Sequence, residues 1–361
     1  MRKNVNKYIV GLPEVPERKD LYEKLDSCFE SGWWSNFGPI VTEFENELSS
    51  FFSVDPSHIT TVANATLGLQ LVLTALNLKK GKVILPSFTF LATACSVVQA
   101  GLTPVFVDID SSLCLDPSLV LKCLENDSDI VAVIPVDVYG RSAHVDVFEE
   151  MRGRVKVIYD CAHSFGGISD PRGDARIYSF HATKIMGAGE GGAVVSHDPE
   201  LISRVRSCSN FGLGTKFVGT NAKMSELNAT LGVLNLRRFP EIRRKRKNVV
   251  QWYQDEFEEL DGVQILLEDL SKVNGSYVPI LFRSESELIK VIRTAEENGI
   301  QVKRYFHPLV SSMPAFERFS VFGTLSMSES ISSKVGCFPI HSSYSREDIC
   351  FISGVVKRSI L

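Results

Sequence analysis

Between residues 59 and 196, short apolar, β-branched runs alternate with longer stretches of helical spacing, and no other feature of the chain narrows its fold as much. Strand-like runs fall at 59–62, 82–85, 104–107, 130–134, 155–159, 176–180 and 193–196. Several are apolar nearly throughout, the pattern of strands whose two faces are both covered by helices. Residues 66–78 and 89–100 carry the intervening helical spacing. The spacing predicts an α/β domain on a mostly parallel seven-stranded sheet with helices on both faces.

After Gly219 the pattern changes. A helical stretch over 222–238 is expected to end at Phe239-Pro240, with a charged helix following over 241–260. From Gly262 onward a strand at 278–282 and a helix at 285–298 suggest a smaller α+β domain, which gives a division into 1–240 and 241–361. The 361 residues are 44% hydrophobic and 23% charged, a soluble globular composition. A chain of this length buries roughly three quarters of its extended surface, so no metal or disulfide is required to hold it. Eight cysteines without a Cys-x-x-Cys or zinc-finger spacing read as scattered reduced thiols, and no metal site is expected. A formal charge of −4 argues against a dedicated nucleic-acid binder. No apolar run approaches the roughly 18 residues of a membrane span, and the polar start has no export-signal pattern; a cytoplasmic protein without a membrane anchor is expected.

In a sheet of this kind, reactive groups gather in the crevice outside the carboxyl ends of the strands. At one such end, Val62-Ala63-Asn64-Ala65-Thr66 enters a helix whose first turn offers free N–H groups and a hydroxyl. That is a phosphate cradle by geometry and dipole, or a plain N-cap by Asn64 or Thr66. At another, Val157-Ile158-Tyr159-Asp160-Cys161-Ala162-His163 delivers a carboxylate and then an imidazole. Such a carboxylate must be paired or hydrogen-bonded; a protonated cofactor ring nitrogen is one fitting partner, a helix cap another. At a third, Ser179-Phe180-His181-Ala182-Thr183-Lys184 leads into Gly187, Gly189, Gly191 and Gly192. A lysine in a glycine-rich loop with few charges nearby suits a lowered pKa and carbonyl chemistry, although loop lysines are commonly just surface.

Together these groups explain one another. An Asp and a Lys at successive strand ends, a phosphate-type helix start upstream and a Ser five positions before the Lys are what a pyridoxal 5′-phosphate (PLP) enzyme needs. A Rossmann oxidoreductase would place Gly-x-Gly-x-x-Gly between an early strand and helix; here the glycines follow Lys184 and precede a strand.

At this point the sequence resembles the sugar-nucleotide aminotransferases of the DegT/DnrJ/EryC1/StrS group, within fold type I of the PLP-dependent enzymes. The resemblance runs from Ser31-Gly32-Trp33-Trp34-Ser35-Asn36-Phe37-Gly38-Pro39 to Phe338-Pro339-Ile340-His341. It is strongest in Asn64-Ala65-Thr66-Leu67-Gly68-Leu69, Pro86-Ser87-Phe88-Thr89-Phe90, Asp160-Cys161-Ala162-His163, the stretch from Ser179 to Lys184, Gly189-Glu190-Gly191-Gly192 and Thr220-Asn221-Ala222-Lys223-Met224-Ser225-Glu226.

The resemblance implies that Lys184 carries the cofactor, that Asp160 pairs with the pyridinium nitrogen, and that Phe90 stacks on the ring. It makes Ala65, Thr66, Leu67 and Ser179 phosphate ligands, with Asn221 reaching the phosphate of a neighbouring subunit, which implies a homodimer with shared sites. His163 stands where the group often has Gln near the cofactor's phenolic oxygen, and Lys223 replaces a usual Arg. Relatives that dehydrate carry His in place of the lysine; with Lys184 present, transamination is implied. The implied reaction moves an amino group from L-glutamate, through the pyridoxamine 5′-phosphate form, to a nucleotide-linked keto-sugar.

Trp34, Tyr139, Lys223 and His307 are candidates for substrate contact, the aromatics being equally suited to core or interface. His181 and His341 are further titrating groups with ordinary structural readings. The basic run 243–247, with Arg237 and Arg238 upstream, is expected to be a solvated helix face, or else an attractor for a diphosphate. A ligand sensor that keeps the fold and cofactor is the rival from another class, but a sensor need not retain Lys184, Asp160, Ser179 and Asn221 together.

Overall fold

The computed structural model describes residues 7–78, 80–167, 172–267 and 273–360. Helices α1 (Arg18–Ser31) and α2 (Pro39–Phe52) precede the alternating part of the chain. There follow β1 (Ile59–Val62), α3 (Ala65–Ala75), β2 (Lys82–Pro86), α4 (Leu91–Gln99), β3 (Thr103–Val107), α5 (Pro117–Asn126), β4 (Ile130–Val133), α6 (Val145–Glu150), β5 (Lys156–Asp160), β6 (Ala175–Ser179), β7 (Gly192–Val195) and α7 (Pro199–Cys208). The C-terminal part contains α8 (Glu226–Phe257), β8 (Val263–Ile265), β9 (Val278–Phe282), α9 (Glu285–Glu297), β10 (Ser320–Val321), α10 (Ser326–Lys334), β11 (Val335–Phe338) and α11 (Arg346–Ile360).

All seven expected strands lie in one sheet, ordered β1-β7-β6-β5-β4-β2-β3, and the two-residue β10 adds an eighth beside β3. Pairings from β6 to β3 are parallel, whereas β7 runs antiparallel to both its neighbours. Apolar residues at successive positions serve opposite faces. Along β5, Val157 and Tyr159 join the core under α2, α5, α6 and α8, while Ile158 joins the core under α3, α4 and α7; β2 divides likewise, Ile84 against Val83 and Leu85. This is why these strands read as continuous apolar runs rather than as alternation.

The expected break at Phe239-Pro240 does not occur, and α8 continues through Pro240 for 32 residues. A proline inside a helix removes one hydrogen bond and crowds the preceding turn, at about 3 kcal/mol or more. Burial outweighs that, since each large apolar side chain fully buried contributes roughly 1.5–3 kcal/mol. The first half of α8 buries Ala229, Val233, Leu236, Phe239 and Ile242 against the large sheet; the second buries Val249, Val250, Tyr253 and Phe257 in the smaller unit. One rod thus serves two cores, and the boundary placed at 240 falls inside it.

The smaller unit is the antiparallel sheet β11-β9-β8 packed by α9, α11 and the end of α8. The basic run on α8 is not one solvated face. Arg246 is buried, and its Nε donates to Glu14 Oε1 at 2.8 Å, which ties the N-terminal segment to the helix. Lys245 pairs with Glu241 at 2.8 Å. Among the described residues, no helix is long and apolar enough to cross a membrane.

Candidate active site

At the carboxyl edge of the large sheet a cavity of about 640 Å³ opens between the two units. Its floor is set by Asp160, the last residue of β5, whose backbone is held by reciprocal bonds to the segment after β4: its N–H donates to Pro135 O at 2.9 Å and its carbonyl accepts from Asp137 at 3.0 Å. Thr93 Oγ1 donates to Asp160 Oδ2 at 2.8 Å and the Ala162 N–H to Oδ1 at 3.1 Å. Thr89, in the loop just before α4, meets the Thr93 hydroxyl at 2.9 Å, so a threonine on α4 and one on the loop leading into it support the carboxylate in sequence. Burial pushes the Asp160 pKa up, against the opposing pull of these hydrogen bonds and of Lys184. Among the described residues no cation lies within ion-pair distance of it. A buried carboxylate in that state lacks the positive partner that makes burial tolerable.

Lys184 enters the same cavity from the loop between β6 and β7, and its Nζ donates to the Tyr277 hydroxyl at 3.2 Å. Burial lowers its pKa to about 8, with Asp160 opposing the shift. An amine with that pKa has a sizeable neutral, nucleophilic fraction near neutral pH, unlike an ordinary lysine. His163 packs against Tyr277, ring centroids 4.4 Å apart, and against Phe306 at 5.7 Å. Burial, and secondarily the Lys184 charge, hold its pKa well below the usual histidine range. Its Nδ1 accepts from the Tyr139 N–H at 3.3 Å, which leaves Nε2 to carry the ring proton. The titration that a histidine could bring here is therefore suppressed, and the ring is a neutral donor.

The opposite end is built by the start of α3. Asn64 caps the helix by accepting from the Leu67 N–H at 2.9 Å, so the cap reading holds and the Leu67 N–H is already bonded. The N–H groups of Ala65 and Thr66 have no acceptor among the described residues, and both residues line the cavity with Ser179. A helix start with two free N–H groups beside a hydroxyl suits a phosphate. Gly192 makes this close approach possible: a Cβ there would sit 2.9 Å from Ala65 N, Asn64 C and Tyr178 O, all backbone atoms. Phe90, 53% exposed, presents its ring at the cavity wall. A buried carboxylate without a counter-ion, a lysine of lowered pKa, an anion-receptive helix start and an open aromatic face together fit PLP.

The family described as DegT/DnrJ/EryC1/StrS aminotransferase matches residues 16–357. The chain belongs to this family. Its members are PLP-dependent aminotransferases, and this chain is one of them. It is 31% identical to the dTDP-4-amino-4,6-dideoxy-D-glucose transaminase of Shigella dysenteriae, over 96% of this chain and 98% of that one. It is 30% identical to a protein of Saccharopolyspora erythraea described as the erythromycin biosynthesis sensory transduction protein EryC1, over 94% of this chain and 95% of that one. Among solved structures, DesI in the presence of its TDP-sugar product superposes with a TM-score of 0.91 at 32% identity, covering 98% of this chain and 93% of that one.

Against the aminotransferase expectation the other candidates divide. Tyr139 does not line the cavity: it is fully buried at a positive φ of 55°, its hydroxyl donates to the Tyr305 carbonyl, and its N–H orients His163. His307 lies in a separate cavity, 3.2 Å from Ser332 Oγ. Trp34 packs edge-on against Phe29 at 4.9 Å near the surface. Lys223 Nζ donates to Asn210 and Asn221 at 2.8 and 2.7 Å, and neither Lys223 nor Asn221 lines the cavity of its own chain. Conversely, the cavity of this family member is completed by Thr89, Tyr277, Lys303, Tyr305 and Phe306, which the sequence reading did not single out. A detectable signal existed only for Thr89 and Thr93, two hydroxyls at helical spacing beside an apolar face.

Proposed function

We propose that this aminotransferase moves the amino group of L-glutamate to the carbonyl of a nucleotide-linked keto-deoxysugar, as a cytoplasmic homodimer with shared cavities. The observation that carries the reading is the pairing, in one cavity, of a buried Asp160 with no cation at ion-pair distance among the described residues and a Lys184 whose pKa burial has lowered. The relatives support the substrate class, since one is a dTDP-amino-sugar transaminase and another was crystallised with its TDP-sugar product.

When bound, PLP supplies a conjugated ring that takes up the electron pair left at a carbon losing its proton. Asp160 holds the proton on the ring nitrogen, and Thr93 and the Ala162 N–H keep that carboxylate in place. His163 donates from Nε2, while the N–H groups of Ala65 and Thr66 with Ser179 hold the phosphate. Lys184 Nζ first anchors the cofactor; once displaced, it removes the proton from the donor's α carbon and later delivers one to the sugar carbon that receives the amine. Phe90 covers a ring face and excludes water.

The homodimer explains an otherwise costly surface. Val218 is 89% exposed, and Phe211 and Leu213 are exposed with it, on the segment that also carries Asn221 and Lys223. A second copy covering this segment would bring Asn221 to a neighbouring cavity, and sedimentation should give twice the chain mass. Eight free thiols suit a reducing compartment.

The S. erythraea relative's description keeps a sensor in view. Protein loaded with pyridoxamine 5′-phosphate, offered keto-sugars linked to dTDP, UDP or GDP, decides the matter. Return of the PLP absorbance with at least one of them supports transamination; binding without any return supports a sensor.

A further inference from the structure

We propose that Lys303 is the cavity's receptor for an oxyanion that the substrate carries away from its reacting carbon. The proposal deepens the aminotransferase reading and rests on it for the identity of the substrates. Among the described residues, Lys184 and Lys303 are the only lysine or arginine residues lining the cavity, and Lys184 is committed to carbonyl chemistry. Lys303 comes from the segment between α9 and α10, pinned to β11 by a reciprocal pair of backbone bonds: its N–H donates to Cys337 O at 3.1 Å, and its carbonyl accepts from Cys337 at 2.7 Å. The side chain therefore leaves a fixed point rather than a free loop.

Its neighbour shows what a structural cation in this segment does. Arg304 turns out of the cavity, with Nη2 donating to Glu285 at 2.7 Å and to the Ser333 carbonyl at 3.0 Å. Lys303 has no carboxylate within ion-pair distance among the described residues; its ammonium lies 5.8 Å from the Tyr305 ring centroid and near the Cys337 thiol, neither of which is an anionic partner. The two carboxylates on the cavity wall are engaged elsewhere. Asp160 is held by Thr93 and Ala162, and Glu190 lies 3.7 Å from His181. Partial burial lowers the Lys303 pKa, the mark of an ammonium held out of water without a counter-ion.

Both substrates of a transaminase of this kind bear such an oxyanion: the distal carboxylate of the dicarboxylic donor, and the diphosphate of the acceptor. An ammonium on a flexible four-carbon stem can reach either. Lys303 would then reject neutral analogues of each substrate.

The test compares wild type with Lys303→Met, which keeps length and loses charge, and with Lys303→Arg, each loaded with PLP; an unchanged cofactor absorbance shows the variants folded. The donor half is run with L-glutamate and with L-alanine, the acceptor half with dTDP-linked and unlinked keto-sugar, and binding of dTDP and of 2-oxoglutarate is measured by calorimetry. Losing one hydrogen bond to a charged group predicts a KM or Kd raised roughly ten- to hundredfold for at least one anionic probe, with kcat nearly unchanged. L-alanine and the unlinked sugar should be unaffected, and Lys303→Arg should recover most of the loss. A loss confined to glutamate and 2-oxoglutarate assigns the carboxylate; one confined to dTDP and its sugar assigns the diphosphate. Equal losses for charged and neutral probes, no loss for any, or a wild type that binds neither anion would overturn the proposal. Because calorimetry needs no turnover, weakened dTDP binding in Lys303→Met would stand even if amino transfer failed.

Discussion

The two walls of the cavity are built differently. On the sheet side, Asp160, Ser179 and the start of α3 sit at the ends of adjacent or nearby strands, and every polar group either has a fixed partner or is aimed at the cofactor. On the far side, Tyr277, Lys303, Tyr305 and Phe306 come from the C-terminal third of the chain and make few polar commitments inside the cavity. Holding one invariant cofactor rewards a rigid, fully determined wall; accepting two successive substrates rewards aromatic faces and a mobile charge.

If this division is right, damage to the sheet wall should cost chemistry, and damage to the far wall should cost discrimination. Lys184→Ala is expected to have the largest effect, removing amino transfer in both half-reactions by at least roughly 10³-fold, because anchor and proton carrier are lost together. Absorbance-detected single turnovers check this. Asp160→Asn should lower the rate of both half-reactions on the order of 10²–10³-fold with KM for the donor little changed, since a preorganised charge is removed from the ring nitrogen. A variant that slowed only one half-reaction would break the division.

That wall was also the legible one. β5 and β6 end on reactive residues in plain sequence order, so Asp160, Ser179 and Lys184 could be found from strand patterns alone. Tyr277 could not, because it reaches Lys184 across 93 residues by tertiary packing and carries no spacing relation to it. Pro240 misled for a similar reason: local propensity favoured a break, while two hydrophobic cores far apart in sequence keep α8 continuous. Tyr139 shows the converse: suited by sequence either to substrate contact or to the core, it lies in the core and orients His163 from the interior.

Smaller effects sharpen the comparison. Gly192→Ala places a methyl 2.9 Å from the backbone of Asn64 and Ala65. It should weaken PLP affinity about tenfold, on the order of one lost phosphate hydrogen bond, while the donor KM of the fully loaded enzyme stays near wild type; equilibrium dialysis and saturation kinetics separate the two. The pH dependence should be gentler still. With the Lys184 pKa lowered to about 8, the rate of PLP capture by the apoprotein should rise with pH and level off above about 8, whereas an unperturbed lysine would still be gaining there. Tyr277→Phe, which removes the hydroxyl that accepts from Nζ, should move that midpoint without abolishing capture.

The central claim, that Lys184 and Asp160 form a transaminating centre, is tested most directly by adding L-glutamate alone to the PLP-loaded protein. The account predicts release of one 2-oxoglutarate per chain with conversion of the bound cofactor to its pyridoxamine form, and loss of both in Lys184→Ala. Unchanged cofactor absorbance and no 2-oxo acid, with glutamate and with every other proteinogenic amino acid, would contradict it.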